Sequence, residues 1–267
     1  MNETASKNDR PVILVTGGGS GIGAAVADRL GASHDVVICG RRLASLEVVA
    51  ARSGAHPMEA DIADYGRCET LIADVIACFG RLDGLVLNAS ILIPASVADM
   101  ALEDWEKQMS VNLTAPFVMI KAAMPHLIRS KGAIVSVSSV GAIQSGPGLS
   151  AYCATKSGLT SLTQVVSCEY ARHGVRANIV APGWIRTEMA DEEMRTLPIG
   201  NDLDVAYAKV SEFVPQRRAG TAMEAAEAIA FLLSPAASFI NGAVLPVDGG
   251  SLLPNSGMIY FEQISPG

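Results

Sequence analysis

The sequence predicts an α/β fold in a single domain: a doubly wound parallel sheet of about seven strands, with helices on both faces. Three observations predict it. Short runs rich in β-branched residues recur along the chain, helical stretches separate them, and the runs are apolar on both faces. Right-handed crossovers between such strands then lay helices on either side of the sheet.

The strands are read, in order, as PVILVT (11–16), DVVIC (35–39), HPMEA (56–60), LDGLVLN (82–88), GAIVSVSS (132–139), VRANIVAP (175–182) and AVLPVD (243–248). Amphipathic or small-residue helical patterns fill 21–32, 42–53, 65–80, 101–129, 151–173 and 222–234. The domain spans 11–250, after a polar tail at 1–10 and before a C-terminal tail at 251–267. One region breaks the rhythm. Residues 187–220 are polar, carry two prolines and fit no strand, so they are read as an insert over a substrate site.

The chain of 267 residues is 49% hydrophobic and 18% charged, which suits a well-filled core. A net charge of −7 argues against a nucleic-acid partner, because no basic stripe offsets phosphate repulsion. The start, MNETASKNDR, is too polar for a secretory signal, and the apolar runs are broken by Gly, Pro or charge, so no membrane span is expected. The five cysteines show no metal or redox spacing, and His34, His56, His126 and His173 are scattered. A cytoplasmic protein with reduced thiols and no metal centre is the expectation.

Function is most legible after the first strand, in VTGGGSGIGAAVADRL. Glycines let a backbone turn sharply and approach a phosphate, and the following helix N-terminus offers free N–H groups and a positive dipole end. Gly17, Gly21 and Gly23 fit T-G-x-x-x-G-x-G, while Gly19, Gly21 and Ala24 fit G-x-G-x-x-A; either spacing is that of a dinucleotide loop. The second strand ends Cys39-Gly40-Arg41-Arg42, with glycine where a ribose-binding carboxylate would stand. A guanidinium there pairs with a 2′-phosphate in a fork, which favours NADP(H) over NAD(H). The alternative is that both arginines are solvated residues opening a helix, which leaves NAD(H) possible. Further on, Tyr152 and Lys156 are spaced to share one side of a helix among small residues, where an ammonium can tune a phenol.

Together these motifs resemble the short-chain dehydrogenase/reductase family, in its single-domain Rossmann-type branch similar to 3-oxoacyl-acyl carrier protein reductases. The resemblance runs from about residue 11 to 250 and includes Thr16-Gly17…Gly21-Ile22-Gly23, Asp61-Ile62, Asn88-Ala89, Asn112, Ser138-Ser139, Tyr152…Lys156, Pro182-Gly183 and Asp248-Gly249-Gly250. It implies a catalytic set of Asn112, Ser139, Tyr152 and Lys156. It implies that Gly17, Ser20, Gly21, Ile22 and Gly23 hold the pyrophosphate and ribose, that Asp61 and Ile62 flank the adenine, and that Asn88 and Ala89 border the adenine ribose. Pro182, Gly183, Ile185 and Thr187 would contact the nicotinamide carboxamide. Three positions depart from the family pattern. Leu87 and Ser90 replace the usual Asn and Gly of Asn-Asn-Ala-Gly, and Ser20 stands where many NADP-using members carry a basic residue.

The implied chemistry is hydride transfer between a nicotinamide and a carbonyl carbon or secondary alcohol. Tyr152 would act as general acid/base, its pKa lowered by Lys156; Ser139 would orient the oxygen, and Asn112 would hold a water linking Lys156 to solvent. A pocket built from 90–93, 140–149, Trp184 and the 188–214 part of the insert, with Ser90, Val140, Ile143, Leu149, Trp184 and Met189 on its wall, reads as mostly apolar, so a hydrophobic ketone is expected: 3-oxoacyl, cyclic or steroid-like, or aryl. The insert could add Arg195. The family commonly assembles as a homotetramer (or dimer) through helices starting near residues 101 and 151. A dinucleotide-binding sensor or scaffold without turnover is the reading from another class.

Overall fold

The computed structural model describes residues 10–199 and 202–253. The tail readings for 1–9 and 254–267 lie outside the described residues. Seven parallel strands form one sheet in the order β3-β2-β1-β4-β5-β6-β9. They are β1 (Val12–Thr16), β2 (Asp35–Gly40), β3 (His56–Glu59), β4 (Gly84–Leu87), β5 (Ala133–Val137), β6 (Arg176–Pro182) and β9 (Val244–Val247). The chain winds outward from β1 to β3, then returns to the centre at β4 and winds the other way. The C-terminal ends of β1 and β4 therefore flank the switch point where open α/β sheets bind ligands.

Strand alternation explains why the runs look apolar on both faces. Leu14, Val37, Leu85 and Ile134 face one layer, with Leu71, Met119 and Leu127 from α3 (Tyr65–Phe79) and α5 (Ala115–Ser130). Ile13, Val15, Val36, Ile38, Val86 and Val135 face the other, against α1 (Gly21–Leu30) and α9 (Ala222–Leu233). Each fully buried aliphatic contributes about 1.5–3 kcal/mol. The edge strand β3 is mostly exposed. Helix α2 (Leu43–Ser53) packs on β2 and β3, and α6 (Ser150–Tyr170) packs on β5 and β6.

Two readings need correction. The helical stretch expected over 101–129 is α4 (Leu102–Met109), a π-turn at Ser110–Thr114, and α5. The wider turn brings Asn112 inward, where it is 1% exposed. The run Leu102–Ser130 has the length and hydropathy to cross a bilayer, yet half of its most apolar window is buried inside the fold. The insert is also more ordered than its polarity implied. It contains α7 (Glu188–Met194) and α8 (Leu203–Val210), and Gly220–Thr221 (β8) pairs with Ile185–Arg186 (β7) in a two-stranded ladder. Met194, Ala206 and Tyr207 form a small core of their own, with Trp184 and Val210 packed on it. The Tyr207 hydroxyl donates to Asp191 at 2.8 Å, and its ring lies 4.6 Å from the Arg186 guanidinium. Neither helix is long enough to show a period in the sequence, so that core was not legible there.

Candidate active site

Two adjoining clefts open at the C-terminal end of the sheet, of about 540 and about 210 Å3, and share Gly17, Ser20 and Ala89. The glycine loop forms the wall between them. Gly17 and Gly21 adopt φ of 67° and 52°, the left-handed region that favours glycine. A Cβ on Gly17 would sit 2.9 Å from the Asn88 amide nitrogen, and one on Gly23 would sit 2.3 Å from the Gly17 carbonyl oxygen. Gly23 therefore lets α1 pack against the loop and does not itself line either cleft.

The loop is tied to β4 by a set of short hydrogen bonds. Thr16 Oγ1 accepts from the backbone N–H groups of Asn88 (2.9 Å) and Ala89 (3.0 Å). Asn88 Nδ2 donates to the carbonyls of Thr16 (2.9 Å) and Gly17 (3.3 Å). Asn88 thus holds the loop's shape as well as bordering the first cleft. Leu87, the first departure from the family pattern, is buried in the core beneath α5. Ser90, the second, lines the first cleft, and its buried hydroxyl has no hydrogen-bond partner among the described residues.

Residues present fit a dinucleotide. Ser20 is the N-cap of α1 in extended conformation, and its hydroxyl makes no capping bond. That hydroxyl and the first N–H groups of a ten-residue helix stand at the junction of the clefts, a setting suited to a pyrophosphate. The smaller cleft is lined by Gly40, Arg41, Arg42, Asp61 and Ile62, all expected from the sequence. Arg41 is exposed. Arg42 reaches Glu188 at 3.4 Å, an exposed pair worth little. The Asp61 carboxylate accepts from Ala63 N–H at 3.0 Å, shaping the turn after β3. Ser45 and Lys107 join this cleft from α2 and α4, and no sequence signal marked them.

The larger cleft gathers Gly17, Ser20, Gly21, Ile22, Asn88, Ser90, Ser139, Val140, Leu149, Tyr152, Lys156, Pro182, Gly183, Trp184, Ile185, Thr187 and Met189, again as expected. A Cβ on Gly21 would lie 3.1 Å from Thr187, so the insert begins directly over the glycine loop. Gly23 and Asn112 stand behind this group, and two residues expected on the substrate side are not in it. Ile143 is 55% exposed and lies outside the cleft, because the 3₁₀ turn Val140–Ala142 after β5 carries it past the rim. Arg195 is on the surface, outside the cleft. The cleft also admits Gln144 and Ser145 from the 140–149 stretch and Glu193 and Phe213 from the insert, residues within the expected segments that the sequence did not single out. The expectation of a mostly apolar pocket is thereby corrected at one point, since Glu193 brings a carboxylate.

At the centre, Ser139 and Tyr152 line the cleft together, close enough for the Ser139 hydroxyl to act on the phenol. Ser139 Oγ accepts from Gly141 N–H at 3.0 Å, which fixes its position at the end of β5. Lys156 lies one helical turn from Tyr152, with Nζ 5.5 Å from the ring centroid and donating to the Val137 carbonyl at 2.8 Å. Ser138 clamps β5 to α6 through the Lys156 carbonyl (3.0 Å) and Thr160 (2.8 Å). Asn112 sits behind this group. Its amide accepts from Ile91 N–H (2.9 Å), donates to Ile91 O (2.8 Å), and donates to Thr155 Oγ1 (3.2 Å). It braces the loop after β4 against α6 and does not line the cleft.

Electrostatics differ from the expectation of a phenol acidified by lysine. Burial pushes the Tyr152 phenol up to about 12; the Ser139 hydroxyl opposes the rise and the Glu193 charge adds to it. Burial also brings the Lys156 ammonium down to about 7. A lysine so placed exerts less pull on a neighbouring phenol than a solvated one.

The chain is similar to known proteins along most of its length. A family model described as enoyl-(acyl carrier protein) reductase matches residues 17–251. Meso-2,3-butanediol dehydrogenase of Serratia marcescens is 32% identical, over 91% of this chain and 95% of that one. Levodione reductase of Leifsonia aquatica is 34% identical, over 94% and 98%. The solved structure of a 3-ketoacyl-(acyl-carrier-protein) reductase from Brucella melitensis, complexed with NADH, superposes with a TM-score of 0.82 at 30% identity, covering 92% and 99%. Glycine loop, switch-point clefts and whole-length likeness converge: the chain belongs to the short-chain dehydrogenase/reductase family and is an oxidoreductase acting on CH–OH groups.

Proposed function

We propose that this enzyme transfers a hydride between NADP(H) and a ketone or secondary alcohol, with Tyr152 as general acid/base. The observation that carries the reading is the meeting of Ser139, Tyr152 and Lys156 in the larger cleft, with Lys156 Nζ 5.5 Å from the Tyr152 ring centroid. A bound nicotinamide supplies or takes the hydride and, when oxidised, brings a positive charge into the cleft. Ser139 holds the substrate oxygen and Tyr152 gives it a proton during reduction or removes one during oxidation. A phenol pushed up to about 12 is protonated at neutral pH, which suits it to reduction; oxidation is favoured as pH rises. Asn112 is a positioning residue in this scheme, holding Ile91 and Thr155.

The choice of NADP(H) rests on exposed Arg41 beside Gly40, which stands where a ribose-binding carboxylate would repel a 2′-phosphate. Arg42 and Lys107 bring two further cations to the same cleft. The substrate side carries Leu92, Val140, Leu149, Trp184, Met189 and Phe213, consistent with an apolar ketone body. We extend the reading to self-association as a homotetramer, supported by Phe117 on α5 and Val165 on α6, which are 49% and 52% exposed.

The test follows NADPH and NADH oxidation against a panel of ketones. Tyr152→Phe is expected to lower kcat/KM about 10²–10⁴-fold, the usual contribution of a positioned acid, with NADPH binding retained. Activity unaltered in this variant would remove Tyr152 from the chemistry. Arg41→Ala is expected to raise KM for NADPH far more than for NADH; equal effects would overturn the NADP(H) assignment and favour NAD(H).

A further inference from the structure

One group in the larger cleft has no part in this scheme. Glu193 lies in the last turn of α7, the helix laid over the glycine loop, and lines the cleft with Tyr152, Trp184 and Gln144. It is half-buried, and among the described residues its carboxylate has no hydrogen bond or ion-pair partner. The other acids of this helix are engaged or outside: Glu188 pairs with Arg42, Asp191 accepts from Tyr207, and Glu192 is exposed. Glu193 is near enough to Tyr152 for its charge to act on the phenol.

A carboxylate drawn out of water with no partner is unfavourable unless something entering the site satisfies it. Burial already holds the Glu193 carboxyl above its ordinary range. A ligand with a hydrogen-bond donor would relieve that strain, whereas a purely apolar ketone would worsen it by removing the remaining water. An ammonium donor is the poorer match, since Lys156 stands in the same cleft and an oxidised cofactor adds further positive charge. A neutral hydroxyl meets the requirement without that repulsion. Gln144 and Ser145, also on the cleft wall, extend the polar patch.

We propose that Glu193 selects the substrate, accepting a hydrogen bond from a hydroxyl carried next to the reacting carbon, so that hydroxyketones and the corresponding diols are preferred over plain ketones. This rests on the reading of the cleft as a ketone and alcohol site. No covalent step is added: the carboxylate binds the spectator hydroxyl while the neighbouring carbonyl is reduced.

The experiment compares matched probes, 2-hydroxycyclohexanone against cyclohexanone, in the wild type, Glu193→Gln and Glu193→Ala. Wild type should favour the hydroxyketone in kcat/KM. Glu193→Ala should lose about 10- to 100-fold on the hydroxyketone relative to cyclohexanone, the size of a hydrogen bond to a charged group. Glu193→Gln, which keeps an accepting oxygen, should fall between. A parallel titration reads binding of both probes to the cofactor-loaded protein through the emission of Trp184, which lines the same cleft. If neither probe turns over but Glu193→Ala still loses selective binding of the hydroxyketone, the selection stands and the reaction assigned above fails. Equal binding of the two probes by wild type, or equal losses for both in Glu193→Ala, would overturn the selection whatever the turnover.

Discussion

Lys156 shows how one buried residue couples chemistry to stability. Its Nζ is held by the Val137 carbonyl at 2.8 Å, and burial brings its ammonium down to about 7 from 10.5. Between those values the unfolded chain holds a proton there that the folded chain has released. The unfolded state binds more protons, so stability rises with pH across this window. Below about 7 both states are charged, and the folded state bears the full penalty of a buried ammonium. Relative to Lys156→Met, the wild type should therefore gain stability as pH rises from about 7 toward about 10, read as the difference in urea midpoints. A difference that does not change with pH would mean that Lys156 keeps its charge in the fold. The Tyr152–Lys156 spacing was legible in the sequence because a helix puts i and i+4 on one side. Their pKa values were not, because desolvation depends on atoms brought in by β5 and the insert. Glu193 was not singled out within the insert for the same reason: the run Asp191-Glu192-Glu193 gives no sign of which carboxylate is drawn into the cleft.

Among the elements, α9 is fixed by purely local chemistry. Thr221 caps it, accepting from Glu224 N–H at 3.2 Å, while Glu224 reaches back to the Thr221 N–H at 2.8 Å. The reciprocal pair is a capping box. Hydrogen bonding to Arg218 is the main cause that holds the Glu224 carboxyl down at about 2. This depressed value is a stabilising contribution present above the ordinary 4.5 and lost as pH falls toward 2; its exposure to solvent keeps it small. Thr221→Ala should destabilise the protein by about 1 kcal/mol, measured by denaturant unfolding. Because β8 pairs with β7 at the entrance to the insert, the loss should be accompanied by faster amide exchange at Ile185–Arg186. The main helices and all seven sheet strands could be read from the chain, since each carries an apolar pattern of its own. The short α7 and α8 could not. They hold their shape through Tyr207, Met194 and Trp184, which meet only after the chain has turned back over the sheet.

For the whole molecule, the sheet order determines where ligands gather. Reversal of winding between β1 and β4 opens the crevice, and Thr16 and Asn88 lock its two sides together. Exposed Phe117 and Val165 are the apolar groups through which self-association is proposed. Phe117→Asp should leave the monomer folded, because the side chain is half exposed, and should shift a sedimentation profile from tetramer toward smaller species. A wild-type chain that sediments as a monomer would reject the assembly.

The alternation of strand and helix, the dinucleotide loop and the Tyr-Lys pair are set by the sequence, because each depends on residues close together in the chain and on backbone rules that hold anywhere. The tertiary structure alone decided the bracing role of Asn112, the exclusion of Ile143, the arrival of Lys107 at the cofactor cleft and the carboxylate of Glu193 at the substrate cleft. Those depend on which distant segments share a cavity and how much water they exclude, and neither quantity has a local pattern in the chain.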